Sequence, residues 1–357
     1  MVLASKQGWM GFDIGAAGVK AAQLVRRNGA YCIRSAAFAP RRQAWPEPWL
    51  ATEPPRPSGD EVSCAASLCE TVRGRSAAAL MPAAACETFS LAAPAGKRGH
   101  EHGLASALAI EAQRPMHDCV FAAWPTGLQA GQINAVAAAR SWSDQVTADV
   151  ASSGWRCRLI DALPWALARA VALMAPDATQ GTVAALDWGY GRATMCLIHH
   201  GVPAMVRILK DCAFRTTLEA LARALRLDER DADAALRRFG LGGCALADDS
   251  CEPPADATTR SIIAELLEPE LARLVHEIRR TLAYWQGATR GRCPDAVYLF
   301  GGGCTLADFD QRLSSQLALR AERWRLPLER PDDEHTLPPT CLLGVAAALS
   351  ALAWEDR

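Results

Sequence analysis

Apolar positions along the chain fall into two matching runs. GFDIGAAGVKAAQLVRRNGAYCIRSAAF, from Gly11, and ALDWGYGRATMCLIHHGVPAMVRIL, from Ala185, each open with an apolar strand that ends in an aspartate, Asp13 or Asp187. Each continues through x-Gly, at Gly15 or Gly189, into a β-rich stretch, then a turn at Asn28-Gly29 or His200-Gly201, then a third strand. Asn-Gly between apolar runs is a strong hairpin signal. The spacing predicts a three-stranded meander opened by Asp-x-Gly in each half, and so two related α/β lobes.

Between the two copies, Pro46 to Pro57 holds five prolines and predicts a surface loop, and Asp60 to Arg73 predicts a helix. Ala77 to Leu91 and Val120 to Arg140 read as strands around a helix near Gly103 to Glu111, a separate inserted unit. A helix at Ser143 to Ser153, a strand at Cys157 to Ile160 and a helix at Pro164 to Met174 precede the second copy. After it, Thr216 and Glu219 predict a capping box for a helix through Leu225, and Asp228 caps a helix that stops at Gly240. Asp248 to Ala257 is a polar loop. From Ile262 to Trp285 the apolar residues keep a helical period, with Pro269 kinking or splitting the helix. DAVYLFGGGCTLADFDQRL then predicts a strand, three glycines and a helix, and Cys341 to Trp354 a buried closing helix.

A chain of 357 residues exceeds one compact core, which agrees with two lobes. Half of it is apolar, and the formal net charge is -1, which excludes a disordered chain and any global field that would recruit nucleic acid or an anionic membrane. The cysteines number 13, with no CxxC, so a zinc ribbon is not expected and they read as small core residues. MVLASKQGWMGFDIG has one lysine and no apolar core of signal-peptide length, and no apolar run reaches the roughly 20 residues that span a bilayer. A reduced, cytoplasmic protein is expected.

Candidate chemistry gathers at the two Asp-x-Gly turns. Gly15, without a Cβ, lets a phosphate approach the turn's backbone. Lys20, seven residues after Asp13, leaves the next strand near the same turn and could neutralise phosphate oxygens. Asp13 and Asp187 would repel a polyphosphate unless a divalent cation lay between, most simply Mg²⁺ holding waters. Gly301, Gly302 and Gly303, between a strand and a helix, would let a flat base or ribose lie on the backbone. His100-Glu101-His102 lies in a predicted Gly/Lys-rich loop with no third metal ligand in view, and Glu277 with Arg280 reads as a surface ion pair one helical turn apart.

Taken together, the paired Asp-x-Gly hairpins and the strand-Gly-Gly-Gly-helix resemble the nucleotide site of the actin-like ATPase superfamily. Within it the order is most similar to the pilus assembly ATPases of the PilM family, relatives of FtsA. FDIGAAGVKAAQL is similar to the first phosphate loop, ALDWGYGRA to the second and YLFGGGCTLADF to the adenosine loop. The resemblance implies an actin-like, duplicated RNase H-like two-lobed α/β fold. Residues 1–75 and 141–176 would form the first lobe (1A), 76–140 an inserted 1C-type subdomain, and 177–357 the second lobe (2A/2B).

The same resemblance implies ATP and Mg²⁺ as ligands. Asp13, Gly15, Lys20, Asp187, Gly189 and Gly191 would face the phosphates, Gly301 to Gly303 the adenosine, and Asp13 and Asp187 the metal through water. It also implies a cytoplasmic scaffold of a pilus or related secretion machine, peripheral to the inner membrane. Its partner would be the cytoplasmic tail of a PilN-like inner-membrane protein, held in a groove between subdomains 1A and 1C, and a second copy of the chain is a further candidate partner. The loops depart from the family pattern at Ala16 and Ala17, which replace serines, at Tyr190 and Arg192, and at Lys210-Asp211-Cys212, which replaces a glycine pair. No residue stands out as a base for hydrolysis, so the implied activity is at most a weak ATPase. A second reading, a small-molecule kinase or phosphatase of the same superfold, would need such a base beside a polar pocket. CLLGVAAALSALAWEDR lacks the basic face of the FtsA membrane helix, so direct membrane binding is not expected.

Overall fold

The structure, a computed structural model, describes residues 7–45, 57–92, 100–128, 131–241, 254–330 and 337–355. Strands β1 (Gln7–Ile14), β2 (Gly18–Arg27) and β3 (Ala30–Pro40) form the first meander, followed by α1 (Gly59–Leu68) and β4 (Ser76–Leu80). An excursion then contributes β5 (Glu87–Ala92), α2 (His100–Glu111), β6 (Cys119–Pro125) and β7 (Gln132–Ala139). The chain returns through α3 (Arg140–Ser152), β8 (Arg156–Asp161) and α4 (Leu163–Met174). The second half runs through β9 (Thr182–Trp188), β10 (Ala193–His199), β11 (Val202–Leu209), α5 (Phe214–Leu225), α6 (Glu229–Phe239) and α7 (Pro254–Ala288). It ends with β12 (Val297–Phe300), α8 (Phe309–Leu317), β13 (Ala321–Arg323) and α9 (Thr340–Ala351).

The two halves build the same sheet. The orders are β3-β2-β1-β4-β8 and β11-β10-β9-β12-β13, with an antiparallel meander followed by two parallel strands in each. Both meander turns place two consecutive residues at positive φ, Asn28 and Gly29 in one and His200 and Gly201 in the other, the backbone of a tight hairpin turn. The duplication extends to an irregularity that no sequence pattern announced. Gln23 pairs with Ser35 and Leu24 with Ile33, passing over Arg34; Leu197 pairs with Met205 and Ile198 with Pro203, passing over Ala204. Each edge strand is therefore bulged at the equivalent residue, which bends it and disrupts its ladder there.

Each bulged edge is covered by the other half. Along β3, Ile33 donates its amide to the Pro327 carbonyl at 2.8 Å and accepts from Glu329 at 2.7 Å, while Arg27 and Arg34 pair with the Glu329 carboxylate. Along β11, Trp124 Nε1 donates to the Pro203 carbonyl at 2.7 Å and Asn134 donates to the Ala204 carbonyl at 2.9 Å.

The central core lies between the sheets and contains α4 and α9. They are exchanged: α9 packs on β1, β2 and β4, whereas α4 packs on β9, β10 and β11. Every residue from Leu343 to Ala351 is buried, as expected for the closing helix. Close approach depends on glycine here, because a Cβ on Gly11 would sit 1.9 Å from the Ala346 carbonyl oxygen and one on Gly8 2.2 Å from Ser350 Oγ. The buried Ser350 hydroxyl donates to the Trp9 carbonyl at 2.6 Å and accepts from the Leu24 amide at 2.8 Å. On the outer faces, α1 and α3 cover the first sheet and α5 to α8 the second.

Several expectations are corrected. Ser76 to Leu80 does not belong to the excursion: β4 pairs in parallel with β1 and β8 as a central strand of the first sheet. The separate antiparallel sheet, in the order β5-β7-β6, begins at Glu87. A buried Ala-rich strand shows no alternation, so only its hydrogen bonds assign it. Helix α5 starts at Phe214 with Ala213 as its N-cap, so Thr216 and Glu219 make no capping box; Glu219 instead pairs with Arg215 at 2.7 Å. Helix α7 continues through Pro269 without splitting. His100 to His102 open α2 and are not in a loop. The proline-rich residues 46–56 and residues 248–253 of the expected polar loop lie outside the described residues, and the rest of that loop, 254–257, opens α7 as helix.

Candidate functional site

The first Asp-x-Gly turn is set by its register. Asp13 stands opposite Lys20 across β1 and β2, and Lys20 Nζ meets Asp13 Oδ2 at 3.0 Å. The Gly15 amide closes the turn on the Gly18 carbonyl at 3.0 Å, and a Cβ on Gly15 would lie 2.9 Å from Lys20 Nζ. Behind the turn lies a brace that sequence reasoning did not single out. Arg41 donates from Nε to the Gly15 carbonyl at 3.1 Å and from Nη2 to Ser58 Oγ at 2.9 Å, pairs with Glu61 at 3.2 Å, and stacks 3.7 Å from the Trp45 ring. The Arg41 and Trp45 amides also bind the carbonyls of Ala17 and Ala16. Without serine hydroxyls at 16 and 17, this segment fixes the loop through its backbone. The run Pro40-Arg41-Arg42 after the third strand was the signal available for it.

The second turn is built alike and finished differently. Thr194, not a lysine, stands opposite Asp187. Burial, outweighing the nearby Lys20 charge and reinforced by Asp13, pushes the Asp187 carboxyl up to about 7. The Gly189 amide binds the Arg192 carbonyl at 3.0 Å, and a Cβ on Gly189 would come within 2.8 Å of that oxygen. The first amides of α5, from Phe214 and Arg215, are taken by the carbonyls of Gly189 and Tyr190. The side chains then reach outward: Tyr190 donates its hydroxyl to Glu229 on α6, and Arg192 Nη1 donates to the Ala83 carbonyl at 2.8 Å, in the turn after β4.

The three glycines divide their tasks. Gly301, at φ +90°, sits where a Cβ would be 2.5 Å from Asp187 Oδ1, and a Cβ on Gly303 would be 2.4 Å from the Trp188 ring. These two let the turn close over the end of β9, whose Trp188 indole donates to the Cys212 carbonyl at 2.9 Å. Cys212 thereby anchors the Lys210-Asp211-Cys212 corner. Only Gly302 of the three faces open space, with Thr305 Oγ1 donating to its carbonyl at 2.7 Å and Arg237 on α6 donating to Thr305 at 3.0 Å.

Both turns and Gly302 open onto one cleft of about 700 Å³ between the halves. It is lined by Asp13, Gly15, Lys20, Asp187, Gly189, Gly191 and Gly302, and by the turn residues Pro82, Ala83 and Ala84. Lys20, Arg41, Arg42, Arg192, Arg215, Arg230 and Arg237 outnumber the lining carboxylates Asp13, Asp187, Glu229 and Asp233. That balance suits a polyanion, and the volume lies within the usual span for small-molecule sites, about 300–1,000 Å³. Among the described residues no group of three or more His, Cys, Asp or Glu side chains could ligate a metal ion. Glu277 does not reach this cleft. Its pair with Arg280 forms at 3.0 Å, but Glu277 is buried and not on the surface, and it also pairs with Arg207 at 2.6 Å, which buttresses β11. His199 lies at the far end of β10, 2.8 Å from Thr182, with burial lowering its pKa. Among the described residues no helix is long and apolar enough to cross a membrane.

Two equivalent five-stranded sheets with exchanged core helices and a cleft between paired Asp-x-Gly hairpins define the actin-like ATPase fold. No protein-family profile and no curated protein sequence matches the chain. Among solved structures it is similar to the PilM-PilN type IV pilus biogenesis complex, with a TM-score of 0.76, 19% identity and coverage of 97% of this chain and 98% of that one. It is also similar to the ethanolamine utilization protein EutJ from Carboxydothermus hydrogenoformans, at TM-score 0.54 and 13% identity over 99% and 92% of the two chains. The likeness to PilM read from the sequence thus holds for the fold.

Proposed function

We propose that this protein is a nucleotide-binding actin-like scaffold of a type IV pilus or related secretion assembly, working at the cytoplasmic face of the inner membrane. The observation that carries the reading is the convergence of Asp13, Lys20, Asp187 and Gly302 on one cationic cleft, in a fold that matches PilM over nearly the whole chain. In this reading ATP places its phosphates over the two Asp-x-Gly turns and its adenosine between α6 and Gly302. Asp13 and Asp187 would hold Mg²⁺ through its waters, and the ion would offset phosphate charge. The residues fit that role, because Lys20 is paired with Asp13 while Thr194, which carries no charge, stands opposite Asp187 across its strand pair.

Support for a scaffold over a transferase lies in what surrounds the acidic groups. Asp13 is paired with Lys20, Glu229 with Tyr190 and Asp233 with Arg237, and in this reading Asp187 serves the metal, so none of the lining carboxylates is assigned as a free base. The similar PilM structure is a complex with PilN, and by analogy the partner here is the cytoplasmic tail of a PilN-like membrane protein. The groove bordered by the inserted sheet differs from the expected 1A–1C junction: it measures about 540 Å³, faces the second half, and is lined by Phe89, Trp124, Leu128, Met205 and Tyr284. An extended tail would bind there by shape and buried side chains.

Calorimetry with Mg·ATP, followed by anisotropy with a labelled PilN-like tail, tests the reading. Saturable ATP binding, tail binding, and turnover far below the roughly 1–100 s⁻¹ of kinases are expected. Indifference to millimolar Mg·ATP removes the nucleotide from the proposal; rapid phosphate transfer to a small acceptor replaces the scaffold with an enzyme.

A further inference from the structure

We infer that Arg192 is a relay between the cleft and the inserted sheet: a polyphosphate in the cleft draws its guanidinium off the Ala83 carbonyl and so loosens the turn from which that sheet departs. The inference rests on the reading that the cleft takes a polyphosphate, and deepens it.

The geometry is specific. Arg192 belongs to the second Asp-x-Gly loop and lines the cleft, and so does Ala83, which opens the short 3₁₀ turn between β4 and β5. Their 2.8 Å hydrogen bond crosses from one half to the other, over 109 residues of sequence. The Ala83 carbonyl also receives the Cys86 amide at 3.2 Å, so the arginine and the turn share one acceptor. A guanidinium binds phosphate by two parallel charge-assisted hydrogen bonds, more strongly than it binds a neutral carbonyl. A ligand phosphate beside Gly189 and Gly191 therefore competes for this donor.

Loosening of that turn has somewhere to go. At its opposite end the inserted unit is fixed to α3, where Arg140 donates to the carbonyls of His117 at 2.7 Å and Cys119 at 3.1 Å. Against the second half it sets the side-chain bonds from Trp124 and Asn134 to the bulged edge of β11, with Leu128 packed on the second core. The sheet is thus anchored to the first half through α3 and held to the second by side chains, among them Arg192 at its root and Trp124, Asn134 and Leu128 further along. Release of Arg192 leaves it free to pivot about α3, which alters the groove between the sheet and β11.

Hydrogen exchange on the full-length protein reads the relay directly. Saturating ATP should speed exchange of amides in 83–92 by about fivefold or more, within the range of ordinary allosteric couplings. In Arg192→Gln the same amides should exchange fast without ligand and show no further response, while ATP still binds about tenfold more weakly by calorimetry. ATP that binds wild-type protein and leaves 83–92 unchanged overturns the relay, and this arm decides the matter even if the variant does not fold. Inorganic tripolyphosphate separates the two readings. If ATP fails to bind but tripolyphosphate binds and loosens 83–92, the nucleotide reading falls and the relay stands; if neither binds, both fall.

Discussion

The bulged edge of the first sheet is shielded by backbone from the second half, and the equivalent edge of the second sheet is shielded by side chains from the first half. Residues 327–329 lie along β3 through two main-chain hydrogen bonds, whereas β11 depends on Trp124 and Asn134 from the inserted sheet. The Asp-x-Gly turns diverge the same way. The first is closed on itself by Lys20 and Arg41, and the second sends Tyr190 and Arg192 outward to other elements. A duplicated topology has thus produced a braced half and a reaching half. Contacts made by single side chains can be exchanged without unfolding strands, so the reaching half is the one suited to respond to a ligand.

The contrast can be tested first where the halves pack most tightly. Gly11→Ala forces a Cβ onto the Ala346 carbonyl and should cost about 3 kcal/mol or more, whereas the equivalent Ala185→Gly should cost about 1 kcal/mol. Urea denaturation of both variants measures this, and equal losses would erase the asymmetry. Next, Gly302→Val puts a side chain into open space at a helical backbone angle, so the fold should persist while ATP affinity drops about a hundredfold or more. Unchanged affinity would move the base elsewhere.

A smaller effect separates the two aspartates by pH. Asp187 has a folded pKa of about 7, above its unfolded value, so between roughly pH 4 and pH 7 the native state keeps a proton that the unfolded chain has lost. Stability should therefore fall as pH rises through that window and level off above it. Asp187→Asn should flatten the slope, as followed by denaturation at pH 4.5, 6 and 8. A slope that survives the substitution means that burial of this carboxyl is not its cause. The smallest effect expected is that of Asn134→Ala, about 1 kcal/mol, because the β11 edge keeps its Trp124 bond. It should nonetheless raise hydrogen exchange in β7 more than in β3.

Much of this arrangement was legible beforehand. The meander pair, the facing aspartates, Lys20 opposite Asp13 and the buried last helix all follow from short-range pattern, where period and turn chemistry suffice. Three features did not. The assignment of Ser76–Leu80 needed hydrogen-bond partners, since a strand buried on both faces has no alternation to read. Gly301 and Gly303 turned out to serve closure over Asp187 and Trp188, a purpose that a glycine run does not distinguish from ligand contact. Arg41 and Arg192 act through partners 26 and 109 residues away, and spacing in one sequence carries no trace of such pairs.

The exchange of α4 and α9 also sets a timetable. Leu24, on β2, waits for a hydroxyl 326 residues further along the chain. At roughly 5–20 residues per second of synthesis, β1 and β2 would spend about 15–65 s without the helix that covers them. During that interval the face of the first sheet formed by Ala22, Leu24, Ile33 and Ala36 stands open beside the ribosome, and α4 packs on the other sheet. The first sheet therefore cannot complete its buried face until residue 351 has emerged, which makes its final packing one of the last steps of synthesis.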